Sequence, residues 1–207
     1  MITTDVPKFL VIEGCNGVGK STITEYLRAR LGASTFHYPR EFVNFRREVD
    51  LDESVAPLPR VAYYLAATLH LSDLVRVQLK QGHVICDRYL ASPLSLMIAE
   101  SAIEEKEVQH LIEPFLSYLR MPDLVLLLTA KHGVATARIR KRSLKSGVLT
   151  PVARRMLESE EFFYRRENTC RRISMRLGPV VELDTTNFSS EKMCNSAWSW
   201  LAPKLNW

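Results

Sequence analysis

The chain has 207 residues, enough for one large α/β domain (1–207) and too few for two of ordinary size. Hydrophobic residues make up 46% of it, so a buried central sheet is feasible, yet the longest apolar run, 124–128, is only strand-length. No run approaches the ~20 residues of a membrane span, which argues against a membrane protein. The opening MITTDVPK lacks the charged-then-apolar pattern of a secretion signal, and this predicts a cytoplasmic protein. Four cysteines, Cys15, Cys86, Cys170 and Cys194, lie far apart with no C-x-x-C pair, so reduced thiols are expected and a zinc site is not. The net charge of +5 is concentrated: residues 138–176 carry Arg138, Arg140, Lys141, Arg142, Lys145, Arg154, Arg155, Arg165, Arg166, Arg171, Arg172 and Arg176. Polyanion binding would use such a cluster, and so would arginines closing over a triphosphate. The second reading needs no nucleic-acid partner.

In chain order, Phe9-Leu10-Val11-Ile12 reads as a buried strand, and Ile23, Tyr26, Leu27, Ala29 and Leu31 recur at helical spacing after it. Residues 34–39 read as a second strand ended by Pro39. A long helix fits 58–81, with Pro59 in its first turn and Gly82 stopping it. Val84-Ile85-Cys86 is a short strand. Helices follow from Ser92 and over 103–119, the second kinked or split by Pro114. Leu124 opens the clearest central strand, 124–128. Helices over 132–143 and 151–177 flank Gly147, Val180-Val181-Glu182-Leu183 is the last strand, and a final helix covers 189–202. Five buried strands separated by helices imply an α/β fold, a parallel sheet covered on both faces. Its ligand site belongs beyond the carboxyl ends of the strands.

The first strand end carries the sharpest motif. Gly14-Cys15-Asn16-Gly17-Val18-Gly19-Lys20-Ser21-Thr22 satisfies G-x-x-x-x-G-K-[ST] between a strand and a helix, the setting that points backbone N–H groups and a helix dipole at one anion. These residues are expected to bind a nucleoside triphosphate. Gly14, Gly17 and Gly19 let the backbone wrap the phosphates, Lys20 spans the β- and γ-phosphates, and Ser21 ligates Mg²⁺. A thiol reagent at Cys15 would then block the site. At the end of the strand 84–86, Asp87 is placed to support Mg²⁺ through water, and Arg88 to clamp a phosphoryl group. Arg40, after the second strand, is a candidate for the acceptor's phosphate or sugar. The run Arg138-Ile139-Arg140-Lys141-Arg142 leads into a polar segment, so 138–151 reads as a short arginine-rich lid. Its arginines would neutralise charge on the transferring phosphoryl oxygens. Arg138 and Arg142 share a helix face and Arg140 does not, so Arg138 and Arg142 are the catalytic candidates.

Together these landmarks resemble the thymidylate kinase family over nearly the whole chain, from Phe9 to about Asp184. The family's E-G-x-[DE]-G-x-G-K-[ST]-T is matched by Glu13 to Thr22 except at Asn16. Its D-R-[YFHW]-x-x-S is matched by Asp87, Arg88, Tyr89 and Ser92, and its P-D-L by Pro122-Asp123-Leu124. An arginine lid and an F-F pair are similar to 138–143 and Phe162-Phe163. The resemblance implies a P-loop kinase fold, transfer of the γ-phosphoryl of ATP to a deoxynucleoside monophosphate with Mg²⁺, and a homodimer. It implies that Asn16, Tyr64, Thr68, Arg88 and Ser92 face the acceptor, Tyr64 as the aromatic that stacks on its base.

The departures fall on that acceptor side. Asn16 stands where the family has an acid that holds the 3′-hydroxyl. Thr68 stands where an arginine reads the base, and Ser95, Leu96 and Met97 replace A-Y-Q. A site built to hydrogen-bond a substrate loses discrimination heavily, often ~10⁴-fold, when a partner is missing. An acceptor other than thymidylate, or thymine read by another route with His70 or Tyr63 as substitutes, follows. A nucleoside-like small-molecule acceptor also stays open, although nucleoside kinases of this architecture usually carry E-R-S where this chain has Asp87-Arg88-Tyr89. A GTPase switch would show D-x-x-G and N-K-x-D, and neither occurs. A nucleic-acid-binding ATPase remains the reading from another class.

Overall fold

The computed structural model describes residues 6–38, 55–100 and 103–207. Strand β1 (Phe9–Glu13) is buried along its entire length, and its side chains alternate between two cores. Leu10 and Ile12 enter one cluster, Phe9 and Val11 the other. A strand with apolar groups on both faces needs helices on both sides, and the chain supplies them. Helix α1 (Lys20–Leu31) follows β1, then β2 (Ser34–His37), α2 (Pro57–Gln78), β3 (Val84–Asp87), α3 (Ala91–Ala99), α4 (Glu105–Leu116), β4 (Leu124–Thr129), α5 (His132–Ser146), α6 (Pro151–Glu158), α7 (Glu160–Leu177), β5 (Val180–Asp184) and α8 (Ser190–Leu205). Among the described residues this makes five strands and eight helices.

The strands lie in the order β2-β3-β1-β4-β5, and every pairing is parallel. The chain steps to one side of β1 for β2 and β3 and to the other for β4 and β5. The end of β1 is therefore the point where the winding reverses, and a crevice opens there. One core packs α1, α5, α6 and α8 against the sheet through Ile23, Leu27, Ile139, Met156 and Ala197. The other packs α2, α3, α4 and the end of α7 through Val61, Leu94, Val108 and Ile173. Each such side chain stabilises the fold by about 1.5–3 kcal/mol relative to exposure. Asp123 accepts from the backbone N–H of Phe9 at 2.6 Å and from Arg120, which ties the start of β4 to the start of β1.

Several element boundaries differ from expectation. The first α2 residue is Pro57, whose missing N–H costs nothing there. Pro114 stays inside α4 without splitting it, two residues before its end. The arginine run is helical as expected, but α5 continues past 143 to Ser146 and ends at Gly147, whose φ of 69° and N–H bond to Ser143 O (2.8 Å) close the last turn. Only 147–150 of the expected lid is outside a helix. The helix read over 151–177 is two helices, because the Ser159 side chain accepts from Phe162 N (3.1 Å) and starts α7 afresh.

Candidate active site

The loop between β1 and α1 is shaped by backbone conformations that a side chain would strain. Gly14 and Gly17 have φ of 132° and 83°, and an added Cβ at either would lie 2.3 Å from a carbonyl oxygen, of Leu128 or Ala135. Gly19, at φ 106°, precedes the helix start and packs against Met193. Inside this turn the Lys20 ammonium donates to Gly14 O (3.0 Å) and Cys15 O (2.7 Å). Burial first, and then the neighbouring Arg88 charge, push its pKa down to about 7. An anion arriving in the loop would restore it. Val18 and Cys15 face inward, and the Cys15 thiol lies 3.8 Å from Phe163 O. Cys15 is 1% exposed and all four cysteines are buried. A thiol reagent therefore has no open path to it, contrary to expectation.

Ser21 Oγ donates to Asp87 Oδ2 at 3.0 Å, joining the first turn of α1 to the end of β3. His37 Nδ1 stands 3.6 Å from the same oxygen, while Asp87 Oδ1 is buried without a partner. Burial alone would raise the Asp87 pKa. The His37 hydrogen bond, the Lys20 and Arg88 charges and the Ser21 hydroxyl overcome it and hold the carboxyl well below its ordinary value. The Ser21 hydroxyl and the ionised Asp87 carboxylate, one of whose oxygens is orphaned, are a hard-oxygen pair that suits Mg²⁺ shared with phosphate oxygens. Among the described residues no cluster of three or more His, Cys, Asp or Glu could hold a metal unaided.

Arg88 has a left-handed backbone, φ 79°, which costs a non-glycine residue about 1–2 kcal/mol. The strain aims its guanidinium at three groups: Gly14 O (3.3 Å), Ser92 Oγ (3.0 Å) and Asn16 Oδ1 (2.8 Å). Glu13 supports this arrangement from below. It is fully buried and accepts from Tyr89 N (2.8 Å), Ser92 N (3.3 Å) and Ser92 Oγ (2.5 Å). Ser92 is thus a link between the buried acid and Arg88.

These groups line a cavity of about 960 Å³ at the carboxyl end of the sheet. Its walls include Arg138, Phe188, Ser190 and Met193 as well as Tyr38, Tyr64, Ser92, Pro93, Leu96, Ala153 and Arg166. Thr22, Asn16, His37 and Arg142 also reach it. Arg138 and Arg142 both face the cavity but differ in state. Arg138 donates to Gly17 O (3.3 Å), Thr185 Oγ1 (3.0 Å) and Thr185 O (2.8 Å), so it braces the phosphate loop against the β5–α8 connection. Arg142 has no hydrogen bond or ion pair among the described residues and is exposed.

The thymidylate kinase family model matches residues 12–187. The chain belongs to the thymidylate kinase family. A probable thymidylate kinase of Methanocaldococcus jannaschii is 26% identical over 205 residues, covering 93% of this chain and 95% of that protein. The thymidylate kinase of Pseudomonas fluorescens is 32% identical over 169 residues, 75% of this chain and 76% of that one. Among solved structures, thymidylate kinase from Candida albicans superposes with a TM-score of 0.74 at 18% identity over 97% and 93% of the two chains. A deoxyadenosine kinase from M. mycoides gives 0.69 at 20% identity over 94% and 99%. These two likenesses concern the fold. The chain is an ATP-dependent nucleotide kinase, thymidylate kinase-like.

Against that family background the acceptor side is unusual. Thr68, at the place of the family's base-reading arginine, is 0% exposed and does not line the cavity. Its hydroxyl bonds Tyr64 O (2.8 Å) and the Tyr38 hydroxyl (3.2 Å), which itself donates to Tyr64 O (2.7 Å). A role for Thr68 in touching substrate is therefore replaced by one in holding Tyr38 and Tyr64, whose rings stand 6.3 Å apart at 34°. Met97 is turned into the core, leaving apolar Leu96 at the wall. Arg40 lies outside the described residues. Arg166, Phe188 and Met193 were not singled out from the sequence as site residues. Arg166 was hidden in a basic run, and Phe188 and Met193 look like ordinary core.

Proposed function

We propose that this enzyme, a single catalytic domain over 1–207, moves the γ-phosphoryl of ATP to a nucleoside monophosphate whose base is not read as thymine. The reading is carried by the Ser21–Asp87 contact, which sits beside Lys20 at the reversal point of the sheet with Asp87 Oδ1 unpartnered. ATP would place its phosphates on Gly14 to Thr22 and its adenine between Arg138, Phe188 and Met193. Ser21 and Asp87 would hold Mg²⁺, which when bound supplies charge neutralisation for the triphosphate. Lys20 keeps its proton as the anion arrives and stabilises the β- and γ-phosphates. Arg88, fixed by Ser92 and Asn16, clamps the acceptor phosphate in line, and Arg142, unengaged in the helical lid, closes on the transferring group. Tyr64 and Arg40 help hold the acceptor. The absence of arginine and glutamine at the base-reading positions supports a different acceptor base.

Consumption of ATP against a panel of nucleoside monophosphates, nucleosides and a no-acceptor control tests this. We expect turnover on a monophosphate other than thymidylate, with Lys20→Ala lowering it ~100-fold or more while the variant stays folded. Preferential turnover of thymidylate at the ~1–100 s⁻¹ of ordinary kinases would sink the specificity argument. Full activity in Lys20→Ala would sink the assignment of the phosphate end.

A further inference from the structure

Among the described residues Arg166 is the buried cation with the weakest partner. It rises from α7, is 5% exposed, and lines the cavity. Among the described residues its one hydrogen bond runs from Nη1 to the Met156 sulfur at 3.8 Å, a weak acceptor. The contrast with Arg60 is direct. That guanidinium is equally buried, but Glu100 meets it at 2.9 Å. An arginine stays protonated in a protein, so Arg166 carries its charge into the buried wall of the cavity with no carboxylate in ion-pair contact among the described residues. Glu13, the nearby buried acid, is already committed to Tyr89 and Ser92, and the other close charges, Arg88 and Lys20, are repulsive. Burial accordingly pushes the pKa of Arg166 down. An unpaired buried cation costs several kcal/mol. A fold keeps one when a ligand brings the missing anion.

The acceptor half of the cavity needs such a ligand for a second reason. Arg166 neighbours Cys15 and Arg88, and Arg88 holds Asn16. Asn16 is neutral where the family has an acid facing the acceptor's 3′-hydroxyl. With neutral Asn16 held by Arg88 and with Arg166 beside Arg88, this edge of the site is positively charged and matched to an anion.

Resting on the acceptor-side reading above, we propose that Arg166 is a second anion-binding point, and that the acceptor carries a carboxylate or phosphate on its sugar edge besides the 5′-phosphate that receives the phosphoryl group. The test compares, for each base, a deoxynucleoside 5′-monophosphate with its 3′,5′-bisphosphate and its 3′-O-carboxymethyl ether, so that the base cancels. Binding is read by calorimetry with a non-hydrolysable ATP analogue and Mg²⁺ present, and phosphotransfer by initial rates. Wild type should bind one of the two anion-bearing forms ~10–100-fold more tightly than the plain monophosphate. Which form it prefers distinguishes phosphate from carboxylate. Arg166→Met, which removes the unpaired charge and should melt no lower than wild type, should abolish the preference, and Arg166→Lys should keep part of it. Equal or tighter binding of the plain monophosphate by wild type, or an undiminished preference in folded Arg166→Met, overturns the proposal. Preferred binding without transfer to any form would uphold Arg166 and defeat the acceptor assignment. Efficient transfer to the plain form without preference would do the reverse.

Discussion

Gly17→Ala isolates how much the phosphate loop depends on backbone placement. The added Cβ would lie 2.3 Å from Ala135 O and 2.9 Å from its carbonyl carbon. These are backbone atoms in the first turn of α5, which buried Ala135 and Ile139 pin to the core, so no side chain can swing aside. Relieving the contact requires the loop and α5 to part by about 1 Å, and a misplacement of ~1 Å at a phosphoryl-transfer site costs ~100-fold in rate. The φ of 83° adds left-handed strain of about 1–2 kcal/mol. For a chain of this length that is a fall of ~2–8 °C in Tm. Gly32→Ala is the matched control: its φ is 61°, but nothing lies within 4 Å of the new Cβ. Thermal melting and initial rates at varied ATP read both effects. Gly32→Ala should melt lower by the strain alone and Gly17→Ala by at least that much, while only Gly17→Ala loses ~100-fold in kcat/KM. Wild-type kcat/KM in Gly17→Ala, or an equal loss in Gly32→Ala, refutes the steric argument.

The two lid arginines should separate kinetically. Arg138→Met, by freeing Gly17 and Thr185, should raise KM for ATP ~10-fold or more with kcat nearly kept, whereas Arg142→Met should lower kcat ~10–1,000-fold at unchanged KM. The opposite pattern would exchange their roles. Glu167 gives a pH signature away from the site. Its side chain is 8% exposed, Oε2 has no partner, and burial, partly offset by Arg171 at 3.8 Å, raises its pKa to about 7. The folded value lies above the unfolded one, so this contribution to stability is fully present below about pH 4.5 and lost as pH rises through about 7. Glu167→Gln should therefore melt ~2–4 °C above wild type at pH 8, about 1 kcal/mol after allowing for solvent screening, with the gap closing by pH 5. A gap independent of pH in melting curves would contradict the assignment.

The sheet was legible because its strands are buried on both faces. A run such as 124–128 has no polar residue to confuse the pattern, and parallel order follows from alternation with helices. Helix ends were less legible because their determinants are local polar contacts. Ser159 looks like any mid-helix serine, yet it ends α6 and caps α7. The end of α5 was misjudged for a related reason. Ser143 to Ser146 is polar enough to read as loop, but a solvated helix face has the same composition, and only Gly147 marks the stop.

The phosphate loop was readable because its shape is carried by backbone turns, and glycines at fixed spacing announce those turns. The acceptor half is carried by side chains whose meaning depends on where three separate helices bring them. Thr68 occupies a substrate position in the chain but not in space, since one turn of helix lets its hydroxyl find Tyr64 O first. Arg166 shows the converse. In sequence it is one of twelve basic residues between 138 and 176, most of them solvated or paired, as Arg171 and Arg172 are with Glu182 and Glu105. Burial is what sets it apart, and burial of one residue in a basic run depends on α7 packing against α3 beneath the loop. The specificity proposed for this enzyme therefore turns on a charge whose significance is its lack of a partner, a property that no linear pattern of residues encodes.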